Sequence, residues 1–159
     1  MDKRINWTCS RFEELTVRQL YDILRARCEV FVVEQQCVYP DIDGLDHDAL
    51  HLTGIGANGQ LAAYLRILAP GVTYPEPALG RVLSTAGWRG SGAGRQLIEQ
   101  GLKQIQHHYP NQAVRIGAQS YLTGFYASFG FKIDSQPYWE DGIEHVQMVL
   151  ALAPDGSTK

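Results

Sequence analysis

Hydrophobic residues near the start of the chain recur at the spacing of an α-helix. Thr16 and Gln19 form the pattern of a capping box, which marks a helix N-terminus. Apolar side chains then follow every three or four residues. They are Val17, Leu20, Tyr21, Leu24, Cys28 and Phe31. The pattern predicts a helix that runs to Phe31, with this stripe, including Cys28, in the core.

Strand signals flank this helix. Residues 5–9 form a short first strand, and residues 51–57 form a second strand that ends at the hairpin dipeptide Asn58-Gly59. On the return strand, alternate residues are apolar, which predicts an antiparallel pair with one covered face. The covered set is Leu61, Ala63, Leu65 and Ile67, with Tyr64 and Arg66 on the other face.

The C-terminal half alternates strands and helices. Its elements are an apolar strand at 79–83, a glycine-dense turn, a helix that ends at 107–108, a buried strand at 113–118, a short helix at 121–129, and strands at 131–134 and 144–152. The complete order, β-α-β-β-β-α-β-α-β-β, predicts a mixed α/β fold. We expect a single domain over residues 1–153 and a flexible tail at 154–159.

Composition narrows the class of protein. The 159 residues carry a net charge of -3, which argues against the basic surface that nucleic-acid binding requires. No apolar run approaches the roughly 20 residues of a membrane span. Three cysteines without a C-x-x-C pair predict a reducing, cytoplasmic location and no zinc site. The acidic loop at 41–48 fails the calcium-loop pattern, because Asp46 and Leu52 occupy its glycine and glutamate positions.

The glycine-dense turn is the most informative stretch. Arg89, Gly92 and Gly94 form R-x-x-G-x-G between a strand and a helix. Glycines permit positive φ and leave room for a ligand, while the N–H groups at a helix start favour an anion. The turn therefore predicts a phosphate-binding loop. A dinucleotide fingerprint fails because its third glycine is missing, and a nucleotide P-loop fails because Ala93 and Gly94 replace its Lys and Ser/Thr.

This turn resembles the pyrophosphate loop of the GNAT (GCN5-related) N-acetyltransferases, which bind acetyl-coenzyme A. Downstream, Tyr126 and the segment Phe129-Gly130-Phe131 resemble the family's Y-x-x-x-G-F pattern, in family order. The resemblance implies the GNAT fold, in which a central sheet flanked by helices splays apart and the cofactor enters the gap. It also implies that Tyr126 is the general acid that protonates the departing thiolate. The cofactor contacts that it implies are Leu83, Ser84, Arg89, Gly90, Ser91, Gly92, Ala93, Gly94, Arg95 and, in place of the usual Asn, Gln119.

Three further segments resemble the ElaA-like subgroup of this family: 24–35 (L-R-x-R-x-x-V-F-V-V-E-Q), 41–46 (D-x-D-G-x-D) and 141–145 (D-G-I-x-H). Part of this pattern is also similar to the substrate cleft of acyl-homoserine-lactone synthases, which share the fold. That second resemblance makes Arg27, Asp43, Asp46 and Arg66 candidates for an ionic cluster near the acceptor cleft, because a buried arginine and a buried aspartate each need an opposite charge. His145 is a further cleft candidate.

The predicted reaction is direct attack of a primary amine on acetyl-CoA in a ternary complex, without a metal. The amine belongs to a small molecule or a peptide, and the sequence is compatible with a homodimer. The general base stays open among Glu34, Asp46, His51 and His145; Glu34 is favoured because it follows an apolar run. Two alternatives are a non-catalytic acyl-CoA sensor or partner-binding module on the same fold and, with less support, a lactone-synthase-like acyltransferase.

Overall fold

A computed structural model describes residues 2–151. Its helices are α1 (Val17–Arg27), a π-helix (Cys28–Glu34), α2 (Ala93–His108) and α3 (Thr123–Ala127). Its strands are β1 (Ile5–Arg11), β2 (Leu50–Gly56), β3 (Leu61–Leu68), β4 (Ala78–Ser84), β5 (Val114–Gln119), β6 (Lys132–Ile133), β7 (Tyr138–Glu140) and β8 (Ile143–Leu150). The sequence predicted this order except for β7, which is only three residues long. The expected tail at 154–159 lies outside the described residues.

The eight strands form one sheet in the order β1-β2-β3-β4-β5-β8-β6, with β7 also paired to β8. All neighbouring pairs are antiparallel except β4 and β5. These two parallel strands share a single pair of residues, Ala78 and Arg115, and then separate. The expected mixed α/β fold with a splayed central sheet is therefore correct, and the gap opens towards the carboxyl ends of β4 and β5.

The main core lies between α2 and the sheet. Leu97, Ile98 and Ile105 of α2 are buried in it together with the β3 and β4 side chains Leu65 and Leu79. The helix begins directly after Gly92, and its apolar positions face the strands as their spacing predicts. Burial of this face fixes the first turn of α2 beside the gap.

Two details of the N-terminal half differ from expectation. The face of β3 that holds Tyr64 and Arg66 is buried as well, because α1 and the loop after it cover that face. Sequence alternation alone identified only the apolar face of β3, because arginine and tyrosine side chains are usually at least partly exposed.

The buried stripe predicted for α1 is only partly correct, because Leu20, Leu24 and Phe31 are half-buried. Val17 and Tyr21 are 88% and 68% exposed, whereas Ile23, Ala26 and Arg27 are buried. Arg27 turns this face inward because its carboxylate partners lie there. Beyond Arg27 the wider turns of the π-helix change the angular spacing of side chains.

The two cysteines of this region follow from that geometry. Cys28 is exposed, contrary to the core position predicted for it. Cys37 is buried, and its thiol donates a hydrogen bond to the carbonyl oxygen of Asp141 at 3.2 Å. This bond ties the loop after the π-helix to the turn between β7 and β8.

Candidate active site

The gap between β4 and β5 is a cavity of about 800 Å³. Because β5 leaves β4 after one pair, main-chain groups on that side of β4 have no strand partner and face the cavity. A β-bulge reinforces the separation: Arg81 has φ +50°, and the register between β3 and β4 shifts at this position. Leu83 and Ser84 line the cavity immediately after the bulge, where the sequence placed the cofactor's main-chain contacts.

The loop from Arg89 to Gly92 lies beside the cavity, which Arg89 and Gly94 line. Gly90 and Gly92 have φ of +75° and +88°, and a Cβ on either glycine would point into open space. Gln96 is the first residue of α2 whose amide donates to the loop, to Gly92 O at 3.1 Å. The amides of Ala93, Gly94 and Arg95 are thus the free donors of the first turn. Three free donors at a helix N-terminus suit a diphosphate.

The two arginines of this loop differ in position. Arg89 lines the cavity, donates to Ser84 O at 3.2 Å and forms an ion pair with Glu34 at 2.8 Å. Arg95 points towards α3 instead, where it donates to Ser128 Oγ at 2.7 Å and its guanidinium lies over the Phe129 ring. Ser91 donates to Trp88 O and closes the turn. Of the two loop arginines, Arg89 is therefore the one whose guanidinium lies at the cavity.

Tyr126 lies on α3 at the wall of the cavity. It is 6% exposed and packs edge-to-face against Phe125 and Phe131, with ring centroids 5.2 and 6.0 Å away. Burial, with a smaller contribution from Tyr121, raises the pKa of Tyr126 to about 12. The phenol therefore keeps its proton throughout the neutral and mildly alkaline range. Gln119, at the end of β5, also lines the cavity and donates to Gln35 Oε1 at 3.2 Å.

The four candidate bases occupy different environments. Glu34 lines the cavity but is paired with Arg89. His51 lies outside the cavity lining, buried between the Tyr64 hydroxyl at 2.7 Å and Asp46 O at 2.9 Å, and burial lowers its pKa. Asp46 is buried between two arginines, which lower its pKa against the opposing effect of burial. Neither His51 nor Asp46 is placed to receive a proton from a ligand in the cavity.

His145, on β8, lines the cavity with its ring stacked on that of Tyr138 at a centroid distance of 5.8 Å. Its Nδ1 lies 2.8 Å from Ile143 O. Because a carbonyl oxygen only accepts, Nδ1 carries the proton in the neutral ring, and Nε2 keeps its lone pair. The tautomer leaves His145 able to accept a proton at Nε2.

The predicted ionic residues meet beside the cavity. Arg27 is fully buried and donates to Asp41 Oδ2 at 3.0 Å and to Asp46 Oδ1 at 2.7 Å. Arg66 donates to both carboxylate oxygens of Asp43, at 2.8 and 2.6 Å, and to Asp46 at 3.0 Å. The structure thus brings together the four residues that the sequence grouped, and Arg66 and Asp43 line the cavity.

Two members of this cluster were not predicted. Asp41 binds Arg27, and Arg81 lies 2.7 Å from Asp41 Oδ1 and 3.4 Å from Asp43 Oδ2. With them the cluster has three arginines and three aspartates and no net charge. The D-x-D-G-x-D spacing contained the signal for Asp41; Arg81 is brought in by the bulge of β4, which the sequence does not reveal.

A model of the GNAT acetyltransferase domain matches residues 19–152. The chain belongs to the GNAT acetyltransferase family. Among relatives of this GNAT chain, Protein ElaA of Escherichia coli is 44% identical over 146 residues, or 91% of this chain and 95% of ElaA. A UPF0039 protein of Synechocystis is 44% identical over 152 residues, or 96% of this chain and 99% of that protein.

Solved structures agree with this GNAT assignment. An acyl-CoA N-acyltransferase from Pseudomonas aeruginosa superposes with a TM-score of 0.88 at 40% identity, over 92% of this chain and 99% of that one. The crystal structure of E. coli ElaA gives 0.85 at 43% identity, over 91% and 98%. The ElaA-like assignment is thus confirmed. The homoserine-lactone synthase LasI gives 0.74 at 18% identity, over 95% and 91%, which shows a shared fold alone.

The cavity of this GNAT domain also has an aromatic end that the sequence gave no reason to single out. Tyr39, Tyr74 and Tyr138 line it, together with Glu140 and Asp141. Tyr74 lies in an irregular loop and Tyr138 in the short β7, so neither belongs to a periodic pattern. In the region from residue 2 to residue 151, no helix is long and apolar enough to cross a membrane.

Proposed function

We propose that this protein is an acetyl-CoA-dependent N-acetyltransferase in which a primary amine attacks the thioester directly in a ternary complex. The observation that carries the proposal is the position of Tyr126: a buried, protonated phenol on the wall of a cavity that ends at the free amides of α2. Acyl transfer from a CoA thioester needs a proton donor for the thiolate and a helix N-terminus for the diphosphate, both at the same cavity.

The chain's own groups fit such a cosubstrate. The amides of Ala93, Gly94 and Arg95 would bind the diphosphate, and Arg89 would exchange part of its pairing with Glu34 for a phosphate oxygen. Main-chain groups of Leu83 and Ser84, which line the cavity beside the unpaired edge of β4, would hold the chain that leads to the thioester. An N–H at this edge would also stabilise the negative charge that develops on the thioester oxygen.

Proton transfer then requires two groups. The attacking amine loses a proton to His145 Nε2, which we favour over Glu34 because Glu34 is ion-paired to Arg89. Tyr126 donates its proton to the sulfur as the carbon–sulfur bond breaks. The tyrosinate, which is a stronger base than the thiolate, then regains a proton from solvent, while His145 releases to solvent the proton that it took from the amine. Nitrogen gains the acetyl group, and the thiol leaves neutral.

Turnover with a panel of amines, measured as thiol release corrected for hydrolysis, tests the proposal. We expect acetylated amine and free CoA in equal amounts. A protein that binds CoA by calorimetry but turns over no amine would instead be the non-catalytic acyl-CoA sensor. A requirement for S-adenosylmethionine would indicate the lactone-synthase-like activity.

A further inference from the structure

We propose that the acceptor is a doubly charged aliphatic amine, and that its second ammonium group binds at the aromatic end of the cavity. This inference rests on the proposed function, because it concerns the acceptor side of the same site. The groups that would bind this cation are the phenols of Tyr74 and Tyr138 and the carboxylates of Glu140 and Asp141.

The two phenols converge on one point of β5. A Cβ at Gly117 would lie 3.1 Å from the Tyr138 hydroxyl and 3.2 Å from the Tyr74 hydroxyl. Glycine at this position therefore leaves space for both hydroxyls above the strand. Burial raises the pKa of both phenols, and the nearby charge of Glu140 adds to the effect. The pair is neutral, so it presents hydroxyl oxygens to a cation without an opposing charge.

The charges around this end leave a negative excess. Arg66 and Arg81 are paired with aspartates of the ionic cluster. Arg115, which lies over the Tyr74 ring, is paired with Glu76 at 3.0 Å and with Asp134 at 2.8 Å.

Within residues 2–151, by contrast, Glu140 and Asp141 form no ion pair. Every arginine at this end thus already has a carboxylate partner, and the two remaining carboxylates favour a positive ligand.

These groups are placed so that the two amines of one ligand would bind at different points of the cavity. Tyr138 stacks on His145, the group we propose to deprotonate the attacking amine, so the phenol pair lies next to the reacting end. The turn that holds Asp141 is fixed by its bond to Cys37, which keeps the carboxylates at the rim. One amine can therefore reach His145 while a second stays charged between the phenols and the carboxylates.

The test compares 1,4-diaminobutane with butylamine, which have the same chain length and differ in the second charge. We expect kcat/KM to favour the diamine by roughly 10-fold at low salt, from partly exposed ion pairs with the two carboxylates and hydrogen bonds to the phenols. In a Glu140→Gln/Asp141→Asn double variant this ratio should fall to about 2. Asn tolerates the φ of +51° at position 141, so the turn is preserved. Raising the salt concentration should shrink the wild-type ratio in the same direction.

Glu144→Gln is the matched control, because Glu144 is exposed on the same hairpin and lies outside the cavity lining. It should keep the wild-type ratio. Equal kcat/KM for the two amines, or an unchanged ratio in the double variant, would overturn the inference and leave the N-acetyltransferase proposal standing.

Calorimetry of 1,4-diaminobutane with the CoA-loaded protein gives a second readout that does not depend on turnover. Binding that weakens about fivefold or more in the double variant supports the cation site. If the protein binds the diamine in this way but acetylates neither amine, the result contradicts the proposed function and leaves the cation site supported. Absence of diamine binding to the wild-type protein would reject the site.

Discussion

At the scale of single residues, the proposed chemistry depends on Tyr126 and His145. Both line the cavity, and each is held by its surroundings in the protonation state that its role requires. Burial keeps the proton on the phenol, and the carbonyl of Ile143 holds the imidazole in the tautomer with a free Nε2. Neither side chain forms part of the ionic cluster, so each can be changed without removing a buried charge pair.

Replacing Tyr126 by Phe should lower kcat about 100-fold, because the leaving thiolate loses its proton donor. Affinity for acetyl-CoA should change less than about twofold, since only a hydroxyl is removed. Tyr21→Phe is the control, because Tyr21 is 68% exposed on α1 and lies outside the cavity lining. Steady-state kinetics together with calorimetry separate the two effects. An unchanged kcat in the Phe variant would exclude Tyr126 as the acid.

The two proton-transfer groups should also affect different parts of the pH dependence of kcat. Because the pKa of Tyr126 is raised to about 12, kcat should not fall between pH 8 and pH 10 through loss of the acid. The loss of kcat towards acidic pH should come from protonation of the general base, which we propose is His145. In His145→Gln this acidic limb should disappear. A limb that persists in this variant but vanishes in Glu34→Gln would assign the base to Glu34.

At the scale of elements, the turn at 89–94, which we propose to bind the diphosphate, requires glycine at position 92. Gly92 precedes α2 with φ +88°, which L-residues adopt only at a cost of about 1–2 kcal/mol. Gly92→Ala should therefore weaken CoA binding about 10-fold, as the strained turn reorients the amides of Ala93 and Gly94. Gly87→Ala, in the preceding turn without positive φ and with free space for a Cβ, is the control. Equal affinities in the two variants would reject this turn as the diphosphate site.

Elements with regular periodicity or turn chemistry could be predicted from the sequence, and elements fixed by long-range ion pairs could not. The turn at 89–94 and helix α2 were predicted because their signals are local. The buried face of α1 was missed because Arg27 determines it through partners 14 and 19 residues away. The phenols of Tyr74 and Tyr138 meet only because of the sheet topology, which no local pattern reveals.

At the scale of the whole molecule, the ionic cluster joins α1, the loop at 41–48 and strands β3 and β4. Removing Arg27 leaves three aspartates against two arginines, and therefore one uncompensated negative charge in a buried cluster, so Arg27→Met should cost about 3–5 kcal/mol in the free energy of unfolding. Arg25→Met is the matched control: this neighbouring arginine is 69% exposed and pairs only with Glu29. Its effect should stay below about 0.5 kcal/mol. Urea unfolding measures both, and similar losses would contradict a structural role for the buried cluster.

The same cluster predicts acid sensitivity. Although burial opposes it, bonding to the arginines lowers the pKa of Asp43 and Asp46 in the folded state. Their contribution to stability is then present above the unfolded value of about 3.9 and is lost as pH falls below it. The free energy of unfolding should begin to decrease near about pH 5 and should fall most steeply below about pH 3.9. Asp43→Asn should reduce this decrease, whereas Asp22→Asn, at an exposed position of α1, should leave it unchanged.

The single residue pair that joins β4 and β5 affects the hydrogen exchange of the sheet in solution. Four strands on one side and four on the other are paired as strands, within residues 2–151, only at Ala78 and Arg115, so side-chain packing in the shared core, rather than main-chain hydrogen bonding, joins the two halves of the sheet. A ligand that spans the wedge would act as the missing strand and couple them into one cooperative unit. Hydrogen exchange should then show two protection classes without CoA and a single, slower class with it.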